Sequence, residues 1–287
     1  MNSPSGGTNY DQYGEHNTYR PTYLQRIFQR KNNNLQIVLF ILTIGSTYIV
    51  GGMVYSVTIM SILLAHEMGH YLMCRRHNIA ATLPYFIPFP FSLFGTFGAV
   101  IAMQQRIPNR KALFDVAVAG PLAGLVIVFP AILYGLQLSE VKEISTLQDT
   151  ISMGEPIIFQ VIRHYIFGPL PEGMDVFVHP MAYAGWVGLF VTALNLLPIG
   201  QLDGGHIAYA MFGKKCRYVF AVALVFFAIC SFFFTGWIPM LILLVFLFYR
   251  HPPTWDEITP LDSNRKMLGF FMFVLFIITF TPVPFYF

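Results

Sequence analysis

Residues 58–74, TIMSILLAHEMGHYLMC, place His66, Glu67 and His70 inside an otherwise apolar run. Ionisable side chains are costly in lipid, so a segment that keeps three of them implies chemistry for them to do. On an α-helix residues four apart share a face, and His66 and His70 can each offer an imidazole nitrogen to one zinc ion. Glu67 lies beside them, where it can accept a proton from water at such a metal. The same spacing occurs on soluble helices as exposed polar residues without metal. A spanning segment has no aqueous face, which favours the metal site.

The rest of the composition agrees with a chain whose solvent is a bilayer. Hydrophobic residues make up 55% of the 287 and charged residues 11%, with 29 Phe. Mean hydropathy is +0.59, whereas soluble domains carry about a quarter charged residues. The net charge of +3 is small and its basic residues cluster at the ends of apolar runs, so it does not describe a nucleic-acid surface. Cys74, Cys216 and Cys230 sit in or beside apolar runs with no paired spacing, which implies packing residues rather than a disulfide framework. Cys74 lies one helical turn beyond His70 and leaves open a minor role in the site.

Residues 1–33 are polar and rich in Asn, Tyr and Gly, and read as a disordered tail rather than a signal peptide. Residues 34–287 read as a single transmembrane domain of all-α polytopic class, with about six to seven spanning helices. Apolar windows fall near 35–50, 53–75, 112–136, 182–197, 217–235, 237–249 and 267–281. Arg20, Arg26, Arg30 and Lys31 precede the first; Arg75, Arg76, Arg106, Arg110 and Lys111 follow the second; Lys214, Lys215 and Arg217 precede the fifth. With Arg250, Arg265 and Lys266 they belong on the cytoplasmic side. Segment 137–181 holds only Lys142 and Arg163 as basic residues against six acidic ones, and is expected to be an extracytoplasmic loop. The N-terminus is then cytoplasmic and the C-terminus outside.

A tetrahedral zinc with two histidines and a water lacks one protein ligand. Asp203 is the best candidate. It lies in NLLPIGQLDGGH, Asn195–His206, where an apolar helix is interrupted by Pro198, Gly200 and Gly204-Gly205. Broken backbone at membrane depth is tolerated only where protein or a wet cavity surrounds it. The plainer alternative is that Asp203 caps the helix that follows. Depth supports the ligand reading: Glu67 is eight residues before Arg75, about 12 Å, and Asp203 eleven before Lys214, at most about 16 Å.

Between these motifs, LPYFIPFPF and the run Gly95–Ile101 suggest an extended segment dipping into the membrane, whose edge could pair with an unwound substrate strand. A plain re-entrant loop over the site is the other reading. Gly120-Pro121-Leu122-Ala123-Gly124 reads as close-packing and kinking support. Asp115 reads as an acid favoured by a helix N-terminus. His164 and His179, with Glu155, Glu172 and Asp175 nearby in sequence, read as solvated loop residues rather than a second metal site.

HEMGH on an early span and NLLPIGQLDGG on a later one together resemble the site-2 proteases, a family of intramembrane zinc metalloproteases. HYLMCRRHNIAATLPYFIPFP, GTFGAVIAM and FDVAVAGPLAG are similar to the branch of plant chloroplast members and bacterial relatives, one without a PDZ domain. The resemblance covers about residues 35–213. It implies that His66, His70 and Asp203 bind one Zn2+ per chain, that Glu67 is the catalytic acid/base, and that Asn195 holds substrate backbone or a developing oxyanion. Asn195 could instead make an interhelical hydrogen bond, and His206 could support the ligands or face water. The activity implied is hydrolysis of peptide bonds within or near the transmembrane segments of membrane-protein substrates, with a regulatory membrane protein as a further partner. A metal-ion transporter or an inactive client-binding protein are the alternatives. Transport does not require Glu67 between the histidines, and the reactive residues expected of an enzyme are all present. A bacterial plasma membrane is the first expectation for location and a plastid membrane the second.

Overall fold

A computed structural model describes residues 33–103, 107–144, 152–247 and 252–286. Apart from Asn33, the polar tail lies outside the described residues, as do Arg106, Arg250 and the last residues of the 237–249 window.

The first helix, α1, runs Asn34–Arg76, 43 residues in length. A straight helix of that length would measure about 65 Å, twice the hydrocarbon thickness of a bilayer. It is not straight. Gly52 adopts φ 75°, ψ −173°, a conformation open in practice to glycine alone. Beyond it Ser56 Oγ donates to the Ile44 carbonyl at 3.1 Å, and Thr47 Oγ1 lies 2.7 Å from Ser56 Oγ. Residues twelve apart on a straight helix are separated by about 18 Å, so the chain reverses at Gly52 and α1 is a helical hairpin.

The first arm is amphipathic in the inverse of the soluble sense. Gln36, Thr43, Ser46 and Thr47 are buried, while Leu35, Ile37, Val38, Ile41, Leu42 and Ile49 are exposed. Hydroxyls on the inner face bond to backbone and to one another, the arrangement that joins helices where lipid replaces water.

Strands β1 (Tyr85–Pro88) and β2 (Thr96–Val100) form an antiparallel ribbon with Tyr85 opposite Val100 and Phe86 opposite Ala99. The extended reading of this segment is therefore the one the backbone adopts. Three side chains hold the tip of the ribbon: Ser46 Oγ donates to the Gly95 carbonyl at 2.5 Å, Tyr55 OH to Phe94 at 2.8 Å and Tyr183 OH to Leu93 at 3.0 Å. Phe40 meets Phe86 edge to face nearer the base. The ribbon thus lies along α1 with its tip close to the Gly52 turn.

Helix α2 (Arg110–Gln137) starts at the Asn109 cap, whose side chain accepts the Ala112 N–H. Two short strands and a helix follow, β3 (Glu140–Glu143), β4 (Ser152–Met153) and α3 (Ile157–Phe167), then β5 (Met174–Phe177). The described residues of the 137–181 segment therefore include short strands and a helix. Strand β3 pairs with β5, and β4 with β6 (Phe285–Tyr286) at the far end of the chain. These strands are too short to show a period, and β4 finds its partner more than 130 residues away, so the all-α expectation is corrected to a mostly helical fold with small ribbons.

Helix α4 (Pro180–Asn195) packs with α1 and α2 as the central bundle. Glycines set the approach: a Cβ at Gly135 would strike Ala182, one at Gly185 would strike Ile132, and one at Gly188 would strike Val128. The chain continues through α5 (Asp203–Phe212), a 3₁₀ turn, α6 (Cys216–Phe233), α7 (Trp237–Leu247) and α8 (Ser263–Thr279). Stretches Asn34–Arg76, Arg110–Gln137 and Asp203–Phe233 are long and apolar enough to cross a membrane.

Replacing Gly52 by alanine should destabilise the protein by roughly 1–3 kcal/mol, the cost of forcing a side chain into that region of backbone space. Thermal unfolding in detergent should show a lowered midpoint for Gly52→Ala. Gly45→Ala, where a Cβ meets nothing within 4 Å, should leave it unchanged or raised.

Candidate metal centre

The second arm of α1 buries His66, Glu67 and His70, which are 3%, 6% and 7% exposed. Asp203 reaches them from the first turn of α5. Between Asn195 and Asp203 the chain makes a run of tight turns, with Ile199 N–H bonded to Leu197 and Leu202 N–H to Ile199. This compact connection backs onto the start of α5. A Cβ at Gly204 would collide with the Leu196 carbonyl, and one at Gly205 with the carbonyls of Gly200 and Ile199. The helix N-cap is Leu202, with no side-chain bond. The carboxylate of Asp203 is directed at the histidines instead of capping its own helix.

Asp203 Oδ2 lies 3.4 Å from His66 Nε2 and 3.3 Å from His70 Nε2, and the two Nε2 atoms are 3.1 Å apart. Ligands at about 2.0 Å around a tetrahedral zinc stand roughly 3.3 Å from one another. The three atoms therefore have the dimensions of one face of a zinc tetrahedron. Protonation points the same way. His70 Nδ1 lies 2.8 Å from the Val116 carbonyl, which can only accept, so Nδ1 carries the proton and Nε2 is left to face the carboxylate. Two acceptors at that distance under an apolar cover call for a shared cation or a further proton. Among the described residues this is the one group of three His, Cys, Asp or Glu side chains that could hold a metal.

Helix α2 sets the histidines in place. Val116, Gly120 and Gly124 recur every four residues along one face. Val116 orients His70; a Cβ at Gly120 would overlap the His70 ring, and one at Gly124 would stand 3.4 Å from His66 Nδ1. In the other direction, a Cβ at Gly69 would strike the Ala119 carbonyl. The stripe read as packing support is thus the wall against which the imidazoles stand. The signal for it was in the sequence, but its target was not.

Asp115 does more than favour a helix start. Its carboxylate accepts from Arg265 Nε and Nη2, both at 2.7 Å, and from His77 Nε2 at 2.9 Å. Arg265 also donates to Asp262 at 2.7 Å, which holds that exposed carboxyl below its ordinary range. One carboxylate therefore ties the end of α1, the start of α2 and the start of α8 together, one residue from the carbonyl that orients His70.

Asn195 Nδ2 lies 3.2 Å from His66 Nε2, so the structure brings Asn195 to the same centre. Glu67 is buried within electrostatic range of His70 and Asp203. His206 is on α5 with its N–H bonded to Leu202, as part of the helix. His164 and His179 belong to the 137–181 region, where His179 Nδ1 accepts the Met181 N–H at the start of α4. Cys74 packs among Ile79, Ala112 and Val116 and is not a ligand, and all three cysteines are free and buried.

The sequence profile of peptidase family M50 matches residues 54–235. The chain is 34% identical over 168 residues to the probable zinc metalloprotease EGY1, chloroplastic, of Oryza sativa subsp. japonica, covering 57% of this chain and 29% of that protein. It is 31% identical over 228 residues to EGY2, chloroplastic, of Oryza sativa subsp. indica (78% and 42%). Against EGY1, chloroplastic, of Arabidopsis thaliana it is 30% identical over 238 residues (78% and 42%). The chain spans less than half the length of these relatives.

Purified His66→Ala and Asp203→Ala proteins should each lose stoichiometric zinc, measured by elemental analysis, while Glu67→Gln retains it. Gly120→Ala should also lower the zinc content, because the added methyl displaces the His70 ring. A full complement in Gly120→Ala would show that the ring has room to move.

Proposed function

Because the chain belongs to peptidase family M50, that of the site-2 proteases, we propose that it is an intramembrane zinc endopeptidase acting within or near transmembrane segments of membrane proteins. The observation that carries this reading is the convergence of His66, His70 and Asp203 at zinc spacing, with Glu67 beside them in an apolar bundle.

His66 Nε2, His70 Nε2 and Asp203 Oδ2 would hold the ion. When bound, zinc supplies Lewis acidity, which acidifies water and polarises a peptide carbonyl. Glu67 accepts the proton of the attacking water and passes it to the leaving amine nitrogen. Asn195 carries an amide donor next to His66, where it can hold a substrate backbone oxygen as charge develops there. Val116 and Gly120 keep the His70 ring in one orientation.

A helical substrate has its amides bonded internally and its carbonyls poorly exposed, so it must be unwound before cleavage. The β1–β2 ribbon supplies a partner for the unwound stretch. Its strand β2 exposes Phe97 and Val100, and a two-stranded ribbon leaves an outer edge on each strand. In this reading the ribbon enters the membrane and aligns the substrate as an added strand.

The chain is an integral membrane protein. The α1 hairpin supports counting its arms as two spans, and with α2, the broken α4–α5 element, α6, α7 and α8 the total is about seven. The excess of Lys and Arg at the ends facing residues 75–111 and 214–217 supports a cytoplasmic N-terminus. The substrates are transmembrane proteins, with a regulatory membrane protein as a further partner. A bacterial plasma membrane remains our proposal for the location, with a plastid membrane as the second candidate, the latter supported by relatives named as chloroplastic.

Glu67→Gln should retain zinc and lower cleavage by about 10²–10⁴-fold, read by mass spectrometry of membrane peptides with and without the enzyme. Cleavage at the native rate would remove Glu67 from the mechanism. Proline placed in turn at each position of Thr96–Ile101 should reduce cleavage at those positions whose N–H meets substrate, without loss of zinc. Unchanged cleavage throughout would exclude strand pairing.

A further inference from the structure

Helix α3 (Ile157–Phe167) carries three distinct faces. At about 100° per residue, Ile158, Phe159, Ile162 and Ile166 share one side, where Phe159 is buried and the others pack on the core. A second side presents Ile157, Val161 and Tyr165, which are 52%, 62% and 86% exposed. The third presents Gln160, Arg163 and His164, with Arg163 Nε donating to Glu155 at 3.0 Å. The three faces are centred roughly 120° apart. A helix on a soluble surface needs only two, one for the core and one for water.

The position of α3 along the bundle is pinned by its surroundings. Just before it, Gly154 N–H donates to the Pro284 carbonyl at 2.9 Å, and β4 pairs with β6 at Phe285 and Tyr286, directly after α8 ends at Thr279. The helix itself packs against α2 and α8. At the end of α2, Tyr134 and Leu138 are exposed apolar residues, 63% and 58%. The start of α3 thus lies near the chain that leaves α8, and the helix packs on two apolar helices, one of which exposes apolar side chains at its end.

We infer that α3 lies flat in the outer lipid interface, with Ile157, Val161 and Tyr165 embedded among acyl chains, Gln160 and His164 among headgroups and water, and Ile158, Phe159, Ile162 and Ile166 against the bundle. The occupant of the exposed apolar face is the bilayer itself. This rests on the membrane-spanning reading of the chain and is independent of its catalytic chemistry. A helix with an apolar and a polar face, held parallel to the surface, buries its apolar side about 5–10 Å into the headgroup and acyl boundary. It would seat the 137–181 region on the bilayer beside the bundle.

The test is spin labelling of the zinc-loaded full chain in phosphatidylcholine and phosphatidylglycerol vesicles. Single cysteines replace Val161, Tyr165, Gln160, His164 and, as a control in mid-α6, the 62% exposed Val225. The three native cysteines are buried and do not compete for label. Labels at 161 and 165 should collide with oxygen and be shielded from a water-soluble nickel chelate, at a depth of about 5–10 Å, and labels at 160 and 164 should show the reverse. Equal nickel access at all four positions, with Val225 shielded, would overturn the inference while leaving the membrane reading intact. Shielding of 161 and 165 from both reagents would assign the face to a protein and overturn it equally. Nickel access at Val225 as well would remove the membrane reading and the inference with it.

Discussion

Two imidazole nitrogens and a carboxylate oxygen stand 3.1–3.4 Å apart beneath an apolar cover. In water such groups would separate and hydrate. In a low-dielectric bundle, where each unpaired polar group is expensive, they stay together where a shared cation or a further proton joins them and the scaffold prevents their escape. Much of the local backbone serves that second condition. The small residues of α2, the glycines that open α5 and the carbonyl of Val116 all limit the positions that the three side chains can take.

The same solvent inverts the usual distribution of polarity. On the first arm of α1 the hydroxyls and amide face inward and the aliphatic residues face out. Ser46, Thr47, Tyr55 and Tyr183 spend their hydrogen bonds on holding the β ribbon and the α1 turn, contacts that would be weak beside competing water. Asp115 extends this inner polar framework to the end of the bundle. It joins α8 to α1 and α2 close to the residue that orients His70, so a helix far from the site in sequence contributes to its rigidity.

How much of this could be read beforehand depended on the range of the interaction. The His66–Glu67–His70 spacing is local, and a helix places its members with no help from the rest of the chain. Asp203 was legible for a different reason, since a proline and glycines interrupting an apolar run are themselves a signal. The Gly120–Gly124 stripe was visible as small residues, but that it faces His70 and His66 was not. The Asp115–Arg265 pair spans 150 residues, and Asp115 alone offers only its place near a helix start. Helix α3 carries apolar residues at helical spacing, but at 11 residues it is too short to stand out as a span, and the acidic residues around it dominate the character of the segment.

By itself, the sequence determined the solvent of this protein, the two pieces of chain that bear ionisable groups within it, and the kind of metal those groups suit. These follow from composition and from spacings within a single turn or a single break of helix. The tertiary structure alone decided that Asp203 turns toward the histidines rather than capping α5, that α1 doubles back at Gly52, and that one carbonyl of α2 sets the His70 ring. Each of those depends on which backbone lies within a few ångströms of a side chain, a relation between elements distant in sequence that no local pattern encodes.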